Sequence, residues 1–449
     1  MLLRDVQSLA HGKAVSAGTA WEALRKAMNR STRVSKWLTA VLAAISLTAA
    51  AQEPMPGANL ASLLDYARTH NPEYAAMRFE AEAAGERVQP AGALPDPTLR
   101  VEMMDITNNG RDAGPSLLPS RVGSTRYTVI QPLPFWGKRD LKRDAASAEA
   151  ESARATASAT WIDLAARVKA AYAEYYRANV SVKLTREILD LVARIAQVAQ
   201  ARYASGLVPQ QDVLRAQIEQ TAMTSELIGM ETEQHHLHSR INALLRRPSD
   251  APLADPIALR HVPTQLTMSA LQQRLEEKSP QLAAQTLKVT AAEKNSALVL
   301  RNRYPDFALG VFPTQMGRGV SEWGVMLEVN IPLQQNSRRS QEHEALAMVS
   351  AAEARRDALQ TQLSSELALN IVAIDAARRT ETLTRLSLNP QSEINYKAAL
   401  TAYENGKVDF ATLLEAQRQI RRSRLEELKA QVEAQLRLAD IERLIGEDL

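Results

Sequence analysis

The chain has no cysteine. That absence excludes disulfides, thiolate metal sites, thiol nucleophiles and a cysteine-linked lipid on a mature N-terminus. Aromatic residues make up 4% of the sequence, and only 17 of its 449 residues are glycine. Alanine is abundant instead, and small side chains let helices approach closely, which favours a bundle or coiled coil over a conventional core. A surplus of basic charge is also missing from the body of the chain. The net +3 arises in the first 51 residues, with seven Lys/Arg against two Asp/Glu, and the remainder holds 47 basic and 49 acidic residues. A nearly neutral body with no basic patch gives no electrostatic case for nucleic acid. Nor is there a nucleophile–base triad, a glycine loop for phosphate or a paired-carboxylate constellation, so the expectation is no enzyme and no cofactor.

The apolar run Trp37 to Ala51 follows Arg30, Arg33 and Lys36 and ends in Ala49-Ala50-Ala51. This is the layout of a secretory signal peptide cleaved near Ala51, with Met28 as the expected start; the run is short for a membrane span. A retained anchor helix is the alternative.

What the sequence does contain is length without interruption. From Lys138 to Ser205 there are 68 residues with no glycine and no proline. They predict one helix of roughly 100 Å at 1.5 Å per residue, far beyond a compact domain's needs. Apolar residues spaced three then four apart (Trp161, Leu164, Val168, Ala171, Tyr175, and later Leu184, Ile188, Leu191, Ile195, Val198) mark a packing seam for other long helices.

The segments before the rod are a short amphipathic helix near Leu60–Ala67, a helical run from Glu73 to about Val88 stopped by Pro90, Pro95 and Pro97, an alternating strand over 98–104, a polar loop at 108–120, and a second strand over 126–131. After it, Gly206 turns the chain into a returning helix from Gln210 to about Arg247, and a proline-spaced linker follows. The pattern then repeats. Ser279-Pro280 echoes Asn71-Pro72, Tyr304-Pro305-Asp306 echoes Leu94-Pro95-Asp96, and a strand, a short loop at 313–320 and a second strand lead to another rod from about Leu333, punctuated at Pro390. Tyr203-x-x-Gly206-x-Val208 and Tyr403-x-x-Gly406-x-Val408 stand 200 residues apart, and the register holds at Leu214/Leu414, Ala216/Ala416, Gln217/Gln417, Ile241/Ile441 and Leu244/Leu444. The chain is read as a tandem duplication with repeats at 52–257 and 258–449.

Each repeat contributes one hairpin, about 98–132 and 306–332, with the weak alternation of a transmembrane β-barrel. Four strands cannot close a pore, and bare strand edges are prohibitively costly in lipid, so the strands are expected to be shared among three copies, giving twelve strands and a helical tube. A small soluble sheet on a coiled coil is the alternative. Trp136, Tyr304, Phe307 and Trp323 fall near strand ends, where a membrane's interfacial girdle would want them.

The duplicated plan, Asn71-Pro72, the run Gln131-Pro132-Leu133-Pro134-Phe135-Trp136-Gly137-Lys138-Arg139 and the paired Tyr-x-x-Gly tips followed by Leu-x-Ala-Gln resemble the TolC-like outer-membrane efflux family, most nearly its cation-efflux branch of the CzcC/CusC type. The resemblance implies a mainly α fold with a β-barrel portion: a homotrimer with a 12-strand barrel in outer-membrane lipid and a periplasmic α-helical tunnel. Its implied partners are a periplasmic adaptor and an inner-membrane pump of the resistance–nodulation–division class. It places adaptor contacts at Gly206, Leu207, Val208, Gly406, Lys407 and Val408, and a periplasmic gate at Glu415 with a Tyr403–Asp212 link. Thr412 stands where a second gate carboxylate is usual, and Val408 where the arginine of a companion link is usual. Heavy-metal cations are the implied cargo, with a multidrug or type I secretion duct, or a secreted coiled-coil scaffold without a pore, as alternatives. His235, His236 and His238 lack an Asp or Cys to complete a metal site, so they are read as surface or lumen residues and no metal site is expected.

Overall fold

The computed structural model describes residues 55–106 and 115–449. The signal-peptide expectation for 1–51 and residues 108–114 of the 108–120 loop lie outside the described residues. Pro56–Leu449 form one compact unit. Its elements in order are α1 (Leu60–His70), α2 (Pro72–Glu86), α3 (Val88–Gly92), β1 (Thr98–Met104), β2 (Ser124–Leu133), α4 (Lys138–Ala204), α5 (Gln210–Leu244), α6 (Met268–Lys278), α7 (Pro280–Arg301), β3 (Asp306–Met316), β4 (Gly319–Asn330), α8 (Gln335–Leu383), a π-helical turn (Thr384–Leu388), α9 (Asn389–Glu404) and α10 (Phe410–Ile445).

The first rod, α4, runs unbroken for 67 residues between Gly137 (φ +83°) and the turn at Gly206. Its upper seam buries Leu164, Val168, Ala171 and Tyr175 as the spacing predicts. Lower down, Val198 is exposed and Ala199 is buried in its place. A straight helix drifts about 20° per heptad against a 3.5-residue repeat, so the seam steps by one residue over a rod this long.

The second rod differs. It begins at Gln335, and its α-helix gives way to the π turn immediately before Pro390, where the Asn389 amide reaches back to the Thr384 carbonyl. Pro390 has no N–H and its ring crowds the preceding turn, and one widened turn absorbs both faults without a break. Pro90, in contrast to the expected stop, lies inside the short helix α3; near a helix start its missing N–H has no intrahelical acceptor to lose.

The repeats are congruent at their helix starts. Asn71 and Ser279 are both extended N-caps followed by Pro at the first helical position. Each repeat has its own apolar core: Leu63, Leu164, Leu237 and Ile241 join α1, α4 and α5, and Leu275, Leu367, Leu438 and Ile441 join α6, α8 and α10. The repeats also interlock, because α4 packs on α7 and α10 of the second repeat as well as on α5.

A buried ion cluster fastens that interlock. Lys169 on α4 holds Glu442 on α10 at 2.7 Å, with both side chains under 10% exposed. Lys169 also holds Asp448, Arg260 of the linker donates to both Glu442 oxygens at 2.9 and 3.0 Å, and the Leu449 amide adds a third donor. Removing one partner from such a set leaves a charge buried without compensation. Glu442→Ala should therefore lower unfolding stability by about 3–5 kcal/mol, and exposed Glu404→Ala should change it little; denaturant titration of the two variants is the check.

Candidate functional site

The four strands form one antiparallel sheet in the order β1-β2-β3-β4, so the two hairpins meet where β2 pairs with β3. The β3–β4 connection is tighter than expected. Strand pairing continues to Met316↔Gly319 and only Gly317-Arg318 turn, with Gly317 at φ +63°.

Period two sorts the side chains cleanly. Leu99, Val129, Val311 and Val325 are aligned across all four strands, with Leu309, Trp323, Leu327 and Val329 on the same face, and all eight are exposed. Arg100, Glu102, Arg126, Thr314 and Glu322 occupy the opposite face, where the Arg126 guanidinium lies 4.6 Å from the centre of the Phe312 ring. Gly324 is the gap that accepts that ring: a Cβ there would stand 2.2 Å from Phe312. β1 and β4 each have one neighbour and therefore one unpaired edge.

The sheet is bolted to the rods by residues of the 131–139 run. Lys138, 4% exposed, donates to Asp306 Oδ1 at 2.8 Å and to the Tyr304 carbonyl at 3.1 Å, and the Phe135 amide donates to the same Asp306 oxygen at 2.8 Å. Phe135 stacks on Tyr304 at 4.6 Å, and Trp136 leans toward Phe307. The exit of one hairpin is thus fixed to the entry of the other. Among the described residues no helix is long and apolar enough to cross a membrane.

At the far end of the rods both tips fold in one way. Gly206 and Gly406 share φ +71°, Ser205 and Asn405 share φ −88° and ψ 4°, and each tip has the paired 6→1 and 5→2 backbone bonds: Leu207 to Arg202 and Gly206 to Tyr203, Lys407 to Ala402 and Gly406 to Tyr403. Leu207 and Lys407 are exposed, and Val208 and Val408 are half-buried behind them.

The residues expected at the gate lie just above. Asp212 is 7% exposed, and burial raises its pKa, opposed by Arg215, helped by Asp409 and opposed by Arg202. Tyr403 is 1% exposed with its hydroxyl pKa raised by burial and then by Asp212, yet that hydroxyl has no hydrogen-bond partner. The expected Tyr403–Asp212 link is therefore not a hydrogen bond here. Arg202 does the linking instead: its guanidinium lies 5.0 Å from the centre of the Tyr403 ring and donates to the Tyr403 and Glu404 carbonyls across the two tips. Arg418 grips the buried Glu219 at 2.5 Å, and Arg421 pairs with Glu226, both joining α10 to α5. Glu415 is exposed and has no ion-pair partner among the described residues. The Thr412 hydroxyl is committed to capping, donating to Asp409 Oδ1 at 2.6 Å, and this bond with the Thr412 amide lowers the Asp409 pKa.

Buried side-chain polar atoms without hydrogen-bond partners occur in both repeats, Asp163 Oδ1 and Asn242 Oδ1 in the first among them, and in the second helical hairpin they include Ser392 Oγ, Tyr396 OH, Tyr403 OH and both amide atoms of Gln417. His235 and His236 are exposed, while His238 packs edge-on against Tyr175 at 6.3 Å. No group of three or more metal-binding side chains occurs among the described residues.

The model of the outer membrane efflux protein family matches residues 63–245 and 271–447, once per repeat. The cobalt-zinc-cadmium resistance protein CzcC of Cupriavidus metallidurans is 23% identical over 393 residues, covering 86% of this chain and 90% of that protein. Among solved structures, CusC superposes with a TM-score of 0.74 at 15% identity over 86% of this chain and 92% of its own. The outer membrane protein VceC of Vibrio cholerae gives 0.73 at 18% over 87% and 96%, and the channel OprN 0.72 at 21% over 86% and 89%.

Arg202→Ala should speed amide exchange at both tips, 203–208 and 403–408, because one guanidinium serves both. The Asp212 contribution has a definite sign. A carboxyl raised by burial stabilises the tip when protonated, below its ordinary range, and that stabilisation is lost as pH rises through the raised value. Asp409, lowered, contributes oppositely and loses its share on acidification. Asp212→Asn should thus protect the tip more than wild type at neutral pH and equally at acidic pH, measured by exchange corrected for intrinsic rates.

Proposed function

The chain belongs to the outer membrane efflux protein family, and from that premise we propose that three copies form the exit duct of a tripartite efflux system for heavy-metal cations. The observation that carries the reading is the sheet with two open edges, an apolar face outward and a charged face behind it, mounted on rods of roughly 100 Å. In lipid the edge N–H and C=O groups must find partners, and identical copies supply them: β4 of one pairs with β1 of the next until twelve strands close. The apolar face then meets lipid and Arg100, Glu102 and Arg126 line the lumen. The rods continue the lumen into the periplasm.

At the periplasmic end, Gly206, Leu207 and Val208 with Gly406, Lys407 and Val408 form the surface that meets a helical adaptor, which couples the duct to an inner-membrane pump of the resistance–nodulation–division class. Arg202, Asp212, Tyr403 and Glu415 belong to the gate. Opening untwists the second hairpin, and the unpartnered hydroxyls and amide on its seam favour that motion because water would satisfy them. The pump supplies the energy. Cation cargo is supported by the likeness to a cobalt-zinc-cadmium resistance protein over most of both chains, and by Glu415, whose three copies around a constriction would attract cations and repel anions.

Deleting the gene should raise sensitivity to cobalt, zinc and cadmium and leave drug tolerance unchanged; the reverse pattern would assign a drug duct. In planar bilayers the wild-type protein should conduct with cation preference, and Glu415→Ala should weaken that preference or the block by divalent cations. Unchanged selectivity would remove Glu415 from the constriction.

A further inference from the structure

Below the sheet, between α1–α2 and the first rod, lies an open groove of about 520 Å³ whose walls carry Arg68, Arg78 and Arg154 beside Tyr74, Trp161 and Glu82. Several arginines on this protein pair with carboxylates, Arg167, Arg186, Arg240, Arg418 and Arg443 among them. The three in the groove have no carboxylate within 4 Å among the described residues. Two are held in place by rings. Arg68 lies 5.5 Å from the Trp161 ring centre and Arg78 5.9 Å from that of Tyr74, and the two rings pack together at 5.4 Å. Arg154 lies against Gly85, where a Cβ would come within 3.4 Å of its guanidinium. Stacking orients a guanidinium and leaves its N–H fork free, which is the arrangement that receives an oxyanion bidentately.

Three positive charges against the single Glu82 leave the groove at +2. A second arginine-lined cavity, with Arg260, Arg378 and Arg385, is different, because Arg260 is taken by Glu442 and Arg385 lies 3.9 Å from Glu381. Arg154 and Trp161 stand 16 and 23 residues beyond Lys138, so the groove sits roughly 24 to 35 Å down the rod from the sheet. Lipid headgroups at the end of the sheet do not reach it.

We propose that this groove is a binding site for a polycarboxylate, with Arg68, Arg78 and Arg154 as its ligand-holding residues. Two sources carry that chemistry: a free polycarboxylate such as citrate, and a carboxylated cell-wall glycopeptide. The proposal does not rest on the channel reading, since it concerns a surface of the single chain.

Calorimetric titration of the detergent-solubilised full-length protein tests it, with citrate and a soluble disaccharide-tetrapeptide in separate arms. Wild type should bind at least one of them, more weakly as salt rises, and Arg78→Ala with Arg154→Ala should weaken binding about tenfold or more, corresponding to about 1.4 kcal/mol. Glu82→Gln should tighten it, a direction that misfolding cannot mimic. Tighter glycopeptide than citrate binding would assign the cell wall as source, and the converse a soluble anion. Absence of binding in both arms, or equal affinity of the double variant and wild type, would overturn the proposal.

Discussion

Two strand edges without partners govern this molecule. Among the described residues β1 and β4 each present a row of backbone donors and acceptors to whatever surrounds the sheet. In water such an edge invites promiscuous pairing; in hydrocarbon it is prohibitive unless another strand arrives. Closure by identical copies satisfies both edges at once and sets the rest. The apolar face must be outside and the charged face inside, the inside must be wet, and the helices hung below must leave a space along the same axis. The Lys138–Asp306 joint matters because it transmits the geometry of a closed sheet to the rods.

Duplication supplies the pseudo-symmetry that lets six hairpin units build a ring from three chains. The tips agree to the degree in their cap angles, and the N-caps Asn71 and Ser279 share an extended backbone ahead of a first-turn proline, although only the Asn71 side chain accepts from the helix amides. The differences between the repeats are then informative. The first rod is continuous; the second carries a π turn. Leu207 and Lys407 occupy equivalent, exposed places with opposite polarity, so a partner that meets both tips meets two chemistries.

Much of this was legible from residues alone, for local reasons. Alternation over 98–104 coincides with β1 because each side chain reports its own face, and Gly206 and Gly406 mark the tips because a positive φ is a single-residue property. The family and its channel plan followed from the same signals. What escaped was the product of distance. Arg202 meets Tyr403 across 201 residues and Lys138 meets Asp306 across 168, and nothing in one sequence ties such positions together. The expected Tyr403–Asp212 link is electrostatic rather than a hydrogen bond, because the buried tyrosine hydroxyl has no hydrogen-bond partner. The three arginines of the outer groove are scattered through two helices and the rod and look, one by one, like ordinary solvated charges.

The closed ring is the claim on which the lumen, the gate and the cargo all depend, and the absence of native cysteine makes it directly accessible. Single cysteines placed on β1 at Leu99, Val101 or Met103 and on β4 at Trp323, Val325 or Leu327 would be paired in turn and oxidised in the membrane, then resolved by denaturing electrophoresis. A ring of three predicts that one register yields covalent dimers and trimers and nothing larger. Cross-links confined to single chains, or an open ladder extending past three, would contradict it.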